Sequence, residues 1–207
     1  FERMHDRLRG LWREREGRAA APSAAVLDAQ STRGSPQGGP SGFDAGKKVK
    51  GRKRSLVVDT LGLLLAVSVG AANLQDRDAG LPAVARAAEK YPEVATLFVD
   101  SAYAGACAQR IEHDHGIRVE VVRHPGNRTV GRWIDAVQPD LFEIRANADG
   151  FVPLPKRWVV ERTHAWNERA RRLIMHHDVR TDVSETWIWL TEARILLRRL
   201  TTEVAEA

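Results

Sequence analysis

A chain of 207 residues with 32 Lys and Arg against 27 Asp and Glu carries a net charge of +5, which points to a polyanionic partner, nucleic acid first. The length builds one domain with a real core and leaves no room for two comfortable ones. The single cysteine, Cys107, excludes an internal disulfide and is expected to be a buried structural thiol. The longest apolar stretch, Leu61 to Ala72, is short of the roughly 18 residues of a membrane span, so a soluble cytoplasmic protein without a membrane partner is expected.

Phe1 to Ala21 is charged and helical in flavour, with Arg and Glu alternating after Leu11 and Trp12. Residues 1–22 are expected to form a linker helix or the remnant of an N-terminal region, and residues 23–203 the main domain. The chain opens on Phe, not Met, so its numbering is expected to begin inside a longer reading frame, after processing or at the edge of an expressed fragment. Ala24-Ala-Val-Leu-Asp28 is a short apolar run ending on an acid, followed by the polar Gln30 to Arg33. It predicts a strand that stops at Asp28.

Gly34 to Gly46 is too rich in Gly and Pro for regular structure and runs into Lys47-Lys-Val-Lys-Gly-Arg-Lys-Arg54. A nucleotide-binding P-loop is rejected, since it would need Gly where Ser41 stands and Ser or Thr where Lys48 stands. Lys47, Lys48, Lys50, Arg52, Lys53 and Arg54 are read as a grip on a phosphate backbone, with a merely solvated loop as the plainer alternative. Arg54 to Thr60 and Leu63 to Val69 then form a predicted β-hairpin turning at Asp59-Thr-Leu-Gly62, which assigns Asp59 to turn chemistry rather than catalysis.

A helix is predicted from Asp76 to Tyr91, a buried strand from Ala95 to Asp100, and a helix from Ala104 to His115. Asp100 thus sits where a central strand leaves its sheet, the place where α/β proteins hold ligands and metals; a turn former or N-cap is the competing reading. Arg118 to Val122 is a further strand, and the Pro- and Gly-containing segment through Pro155 holds a short apolar patch from Val130 to Val137. Lys156 to Leu173 is strongly helical, with Val159, Thr163, Trp166, Ala170 and Leu173 on one face and Arg157, Glu161, His164, Glu168 and Arg172 on the other. Asp182-Val-Ser-Glu185 has the pattern of a capping box opening a last helix, whose Trp187, Ile188, Leu190, Ile195 and Leu196 should pack on the sheet. The order of elements is that of an α/β fold with a mixed sheet flanked by helices.

Two-metal cleavage of a phosphodiester needs hard oxygen ligands from separate elements brought to one place. Asp28, Asp100 and Glu161 meet that need if one sheet edge gathers them, and bound cations would relieve their mutual repulsion.

Leu27-Asp28-Ala-Gln-Ser, Asp44-Ala-Gly-Lys-Lys-Val-Lys-Gly-Arg-Lys-Arg54, Val58-Asp-Thr-Leu-Gly-Leu, Phe98-Val-Asp100-Ser-Ala-Tyr-Ala-Gly and Arg157-Trp-Val-Val-Glu161-Arg-Thr together resemble the DDE transposases of the IS5/IS4 insertion-sequence type, from about Val26 to about Leu173. The resemblance implies a ribonuclease H-like fold in which Asp28, Asp100 and Glu161 bind two Mg²⁺ ions, with Mn²⁺ as a possible substitute. It implies a bacterial, nucleoid-associated homodimer on double-stranded DNA, cutting transposon ends with water and joining the freed 3′ hydroxyl to target DNA without a covalent protein intermediate. The family's Tyr and Lys along the third-acid helix are replaced here by Leu154 and Glu168, and its N-terminal DNA-binding region would survive only as Phe1 to Ala21. A metal-dependent nuclease without strand transfer, and a truncated, inactive DNA-binding remnant, are the two rival readings.

Arg157 and Arg162 are added to the DNA-binding set. Arg157 either holds a phosphate, orients Glu161, or is a plain surface cation. His164 is read as packed or solvated in preference to a proton carrier. Trp158 is a candidate for stacking on an unpaired base, whereas Trp166, Trp187 and Trp189 are assigned to the core.

Overall fold

The computed structural model describes residues 1–122 and 157–202. Six strands form one sheet: β1 (Ala24–Arg33), β2 (Gly42–Asp44), β3 (Val49–Asp59), β4 (Leu64–Ala71), β5 (Thr96–Val99) and β6 (Arg118–Val121). The path across it is β2-β3-β1-β5-β6, with β4 also paired to β3. β3 lies antiparallel to β1 and β4, as a hairpin dictates, and β5 and β6 run parallel to β1 and to each other. Parallel neighbours need crossovers, and the helices α2 (Asp76–Lys90) and α3 (Ala106–His115) supply them. Arg171–Leu173 makes one turn of 3₁₀ helix between α4 (Trp158–Glu168) and α5 (Thr181–Thr202), and α1 (Glu2–Arg15) precedes the sheet. This is the ribonuclease H-like mixed sheet flanked by helices that the sequence predicts.

Alternation along each strand divides the core in two. Ala25, Leu27, Val57, Leu97 and Val99 face Ala83, Val84 and Ala87 of α2 and Ile111 of α3. Val26, Leu56, Val58 and Phe98 face Val159 and Val160 of α4 and Ile188 and Trp189 of α5. Cys107 is buried and free, as anticipated.

Four local expectations are corrected. β1 does not stop at Asp28 but continues to Arg33, because its polar half keeps pairing with β3 down to Arg33 opposite Gly51. The basic run from Val49 is the first half of β3 rather than a loop. The helix expected through Leu173 ends at Glu168. Glu185 does not close a capping box: its carboxylate accepts from Val69 N at 3.0 Å and from Arg86 at 2.8 Å, tying α5 to β4 and α2. The patch from Val130 to Val137, Leu154 and the two prolines before α4 lie outside the described residues.

The β3–β4 turn carries the chemistry assigned to Asp59. Its Oδ1 accepts from Leu61 N and Leu63 N, both at 2.9 Å, and Gly62 takes φ +77, a left-handed conformation suited to glycine. The second oxygen, Oδ2, accepts from Arg13 of α1 at 2.5 Å in an ion pair buried on both sides. α1 also packs Trp12 against Leu63 and Leu196.

Replacing Arg13 with Met should cost about 3–5 kcal/mol in urea unfolding, because Asp59 is left buried without its partner. Glu192, fully buried in α5, provides a pH test: burial pushes its carboxyl up to about 8 against the opposing pull of Arg199. The folded chain therefore holds a proton there that the unfolded chain has released, and stability attributable to Glu192 falls as pH rises from about 4.5 to about 8. Glu192→Gln should match the wild type near pH 4 and melt above it at pH 8 and beyond; equal melting curves at pH 8 would refute the assignment.

Candidate active site

Asp28 follows Val26 by two residues and Asp100 follows Phe98 by two, so both acids continue the sheet face that packs on α4. The parallel pairing of Val26 with Phe98 sets the two strands level. Asp28 and Asp100 therefore emerge side by side, just beyond the last paired residue of β5. Asp100 fills the capping role: its Oδ1 accepts from Ala102 N at 2.8 Å at the start of the following 3₁₀ turn, which leaves Oδ2 turned toward α4.

The third acid comes from α4, which is docked on the β3–β4 turn. Thr163 Oγ1 is shared between Gly62 O at 2.6 Å and Val159 O at 3.0 Å, and Arg162 donates to Leu61 O at 2.7 Å. The buried face of α4 is Val159, Val160, Thr163, His164 and Asn167, rotated from the predicted stripe so that His164 and Asn167 turn inward and Trp166 stays half-buried. Glu161 remains about half exposed at the rim.

All three acids converge on one atom. A single terminal guanidinium nitrogen of Arg157 lies 3.2 Å from Asp28 Oδ1, 3.7 Å from Asp100 Oδ2 and 3.8 Å from Glu161 Oε1. His164 Nε2 stands 3.4 Å from the other oxygen of Asp28. Burial alone would raise Asp28, but His164, Arg157 and Lys47 outweigh it and hold the carboxyl below the ordinary range. Asp100 moves the other way, raised first by burial and further by Asp28 and Asp76, despite its bond to Ala102 and the charge of Arg157. Two neighbouring carboxylates pushed in opposite directions are typical of a functional cluster.

The cations divide sharply. Lys47, Lys48 and Lys50 are exposed, although Lys47 also donates to Ala29 O at 3.0 Å. Arg52, Lys53 and Arg54 are buried and point into the protein, against the expectation that they grip DNA. Arg52 bonds Pro40 O, Val179 O and Ser184. Lys53 meets Leu74 O, Asp44 and Asp76, and Arg54 bonds Gln30 and Leu173 O. Arg52 and Arg54 continue the face of Leu56 and Val58, under the segment that joins α4 to α5. Arg162 is held between indoles, 4.3 Å over Trp158 and 4.5 Å over Trp166. Trp158 itself is exposed, and Trp189 alone of the three assigned to the core is buried.

Two neighbours of the acids carry no weight in the sequence reading. Tyr103 is buried with its hydroxyl unpartnered among the described residues, pushed well above the usual phenol range first by burial and then by Asp28, Asp76 and Asp100. Its position three residues after Asp100 is the available signal. Gln30 donates to Glu168 at 2.6 Å while accepting from Arg54, so Glu168 is engaged with β1.

A family model described as the transposase DDE domain matches residues 19–197 of the chain. No curated protein and no solved structure matches it.

Thr163→Val removes the hydroxyl that ties α4 to Gly62 at nearly constant shape. The cost expected in urea unfolding is about 1–3 kcal/mol, since Gly62 O loses a buried donor, while Thr163→Ser should retain most of the stability. Equal loss in both variants would assign the effect to packing.

Proposed function

Because the chain belongs to the transposase DDE domain family, whose members cut and transfer DNA, we propose that Asp28, Asp100 and Glu161 are its metal-binding catalytic acids and that it acts on the ends of an IS5/IS4-type insertion sequence. One observation carries this reading: three carboxylates from β1, the end of β5 and α4 all lie within 4 Å of the same nitrogen of Arg157. Carboxylate oxygens are the hard donors that suit Mg²⁺ or Mn²⁺. Among the described residues, no three acidic, His or Cys side chains stand close enough together to share an ion in this arrangement. The donor set, three carboxylates turned toward one point, suits the ion.

When bound, two such ions supply Lewis acidity at the phosphodiester and favour ionisation of the attacking water or 3′ hydroxyl. The chain's own part is positioning. Asp28 and Asp100 ride on paired backbone and are held in place by His164 and by Ala102 N. Glu161, at the exposed rim, has rotamer freedom to complete the ligand set. Lys47, Lys48 and Lys50 contact DNA phosphates without reading sequence, and the exposed face of Trp158 offers a stacking surface for an unpaired base. Arg52, Lys53 and Arg54 serve the fold. Cutting both ends together is best accomplished by a homodimer on DNA, by analogy with the family.

The deciding experiment is cleavage of plasmid and end-bearing DNA in Mg²⁺ or Mn²⁺, beside Asp28→Asn, Asp100→Asn and Glu161→Gln. Metal-dependent nicking should fall by more than about a hundredfold in each variant, beyond what losing an outer-sphere partner costs. Cutting without joining to target DNA would recast the protein as a nuclease. DNA binding without cutting under either metal would recast it as an inactive remnant.

A further inference from the structure

The arrangement around Arg157 carries an inference that rests on the metal-site reading and goes beyond it. Arg157 sits at the N-terminal end of α4, one turn before Glu161, with its side chain 13% exposed. Among the described residues its guanidinium engages no acid through the bidentate fork that arginine normally offers a carboxylate. One terminal nitrogen is divided among three acids, and Nε is buried without a hydrogen-bond partner among the described residues. The group is placed where its charge is needed, at the expense of its hydrogen-bonding geometry.

We infer that Arg157 is the resident counter-cation of the three-acid cluster, holding the metal-free site assembled and leaving it when divalent ions enter. Three carboxylates converging on one point repel unless a cation lies among them. A guanidinium and a divalent ion cannot share that point, since their repulsion at such distances is large wherever water is partly excluded. Metal entry therefore displaces Arg157, and the displaced side chain stays tethered beside the site, free to accept a phosphate oxygen as its new partner. Arg157 is thus a positioning residue that exchanges carboxylate partners for metal occupancy. Its incomplete hydrogen bonding makes that exchange inexpensive.

The test reads metal binding and conformation in the full chain, with no DNA and no turnover. Mn²⁺ binding is followed by the loss of free-ion paramagnetic resonance, and melting is measured in chelator and in saturating Mn²⁺, for the wild type and Arg157→Gln. The variant should bind Mn²⁺ roughly tenfold more tightly, the scale set by a charge-assisted contact that no longer has to be broken. In chelator it should melt several degrees below the wild type, and Mn²⁺ should close that gap. On the wild type alone, modification of Arg157 by phenylglyoxal, mapped by mass spectrometry, should be severalfold faster with Mn²⁺ than without. Wild-type binding of Mn²⁺ with equal or weaker binding by the variant would overturn the counter-cation role while leaving the metal site intact. Arg157 modification that is unchanged or slower in Mn²⁺ would overturn it as well, whether or not the variant folds. Absence of Mn²⁺ binding in both proteins would overturn the metal-site reading and this inference together.

Discussion

Carboxylates gathered at one end of a sheet repel one another, and the architecture of this chain is a solution to that constraint. β1 and β5 run level and deliver Asp28 and Asp100 to the same face. α4 crosses that face and brings both the third acid and the cation that separates the three. The two charges of α4 stand one turn apart on one helix, so Glu161 cannot take its place without Arg157 arriving beside it. Acid and counter-charge are delivered by the same docking event.

That docking depends on apolar packing. Val159 and Val160 join the layer formed by Val26, Leu56, Val58 and Phe98, which sets the distance of the helix from the sheet. Thr163 and Arg162 then fix its rotation by bonding the carbonyls of the β3–β4 turn. The hydrophobic layer gives affinity without direction, and the polar contacts choose which face of α4 meets the acids. His164 belongs to both systems, being buried in the packed face and in contact with Asp28.

Much of this fold was legible in the chain itself. The hairpin, the two crossover helices and the strand running to Asp100 all announced themselves through period and punctuation. Less visible were elements whose polarity ran against their burial. Ala29 to Arg33 looks like the end of a strand because its side chains are polar, yet β3 pairs with it to Arg33. Lys50 to Arg54 looks like a solvated cluster, yet Arg52 and Arg54 occupy the same parity as Leu56 and Val58, and backbone carbonyls, the Ser184 hydroxyl and the Gln30 amide accept from them inside the protein. Composition reports charge; only alternation reports which way it points. The three acids could be nominated from their settings, but their meeting at Arg157 depends on the rotation of α4, which helical periodicity placed about one position off. His164 and Asn167 turn inward with Thr163, whose hydroxyl bonds Gly62 O, and His164 meets Asp28 there.

The turn at Asp59 to Gly62 is held from two directions. Arg13 of α1 grips its carboxylate from one side, and Thr163 and Arg162 of α4 grip its carbonyls from the other. α1 begins ahead of the stretch that matches the family model, yet this four-residue turn links it to the helix bearing Glu161. A pull applied along α1 bears on a buried ion pair and through it on the helix that carries Glu161. Anything attached to that end of the chain is mechanically in line with the acids.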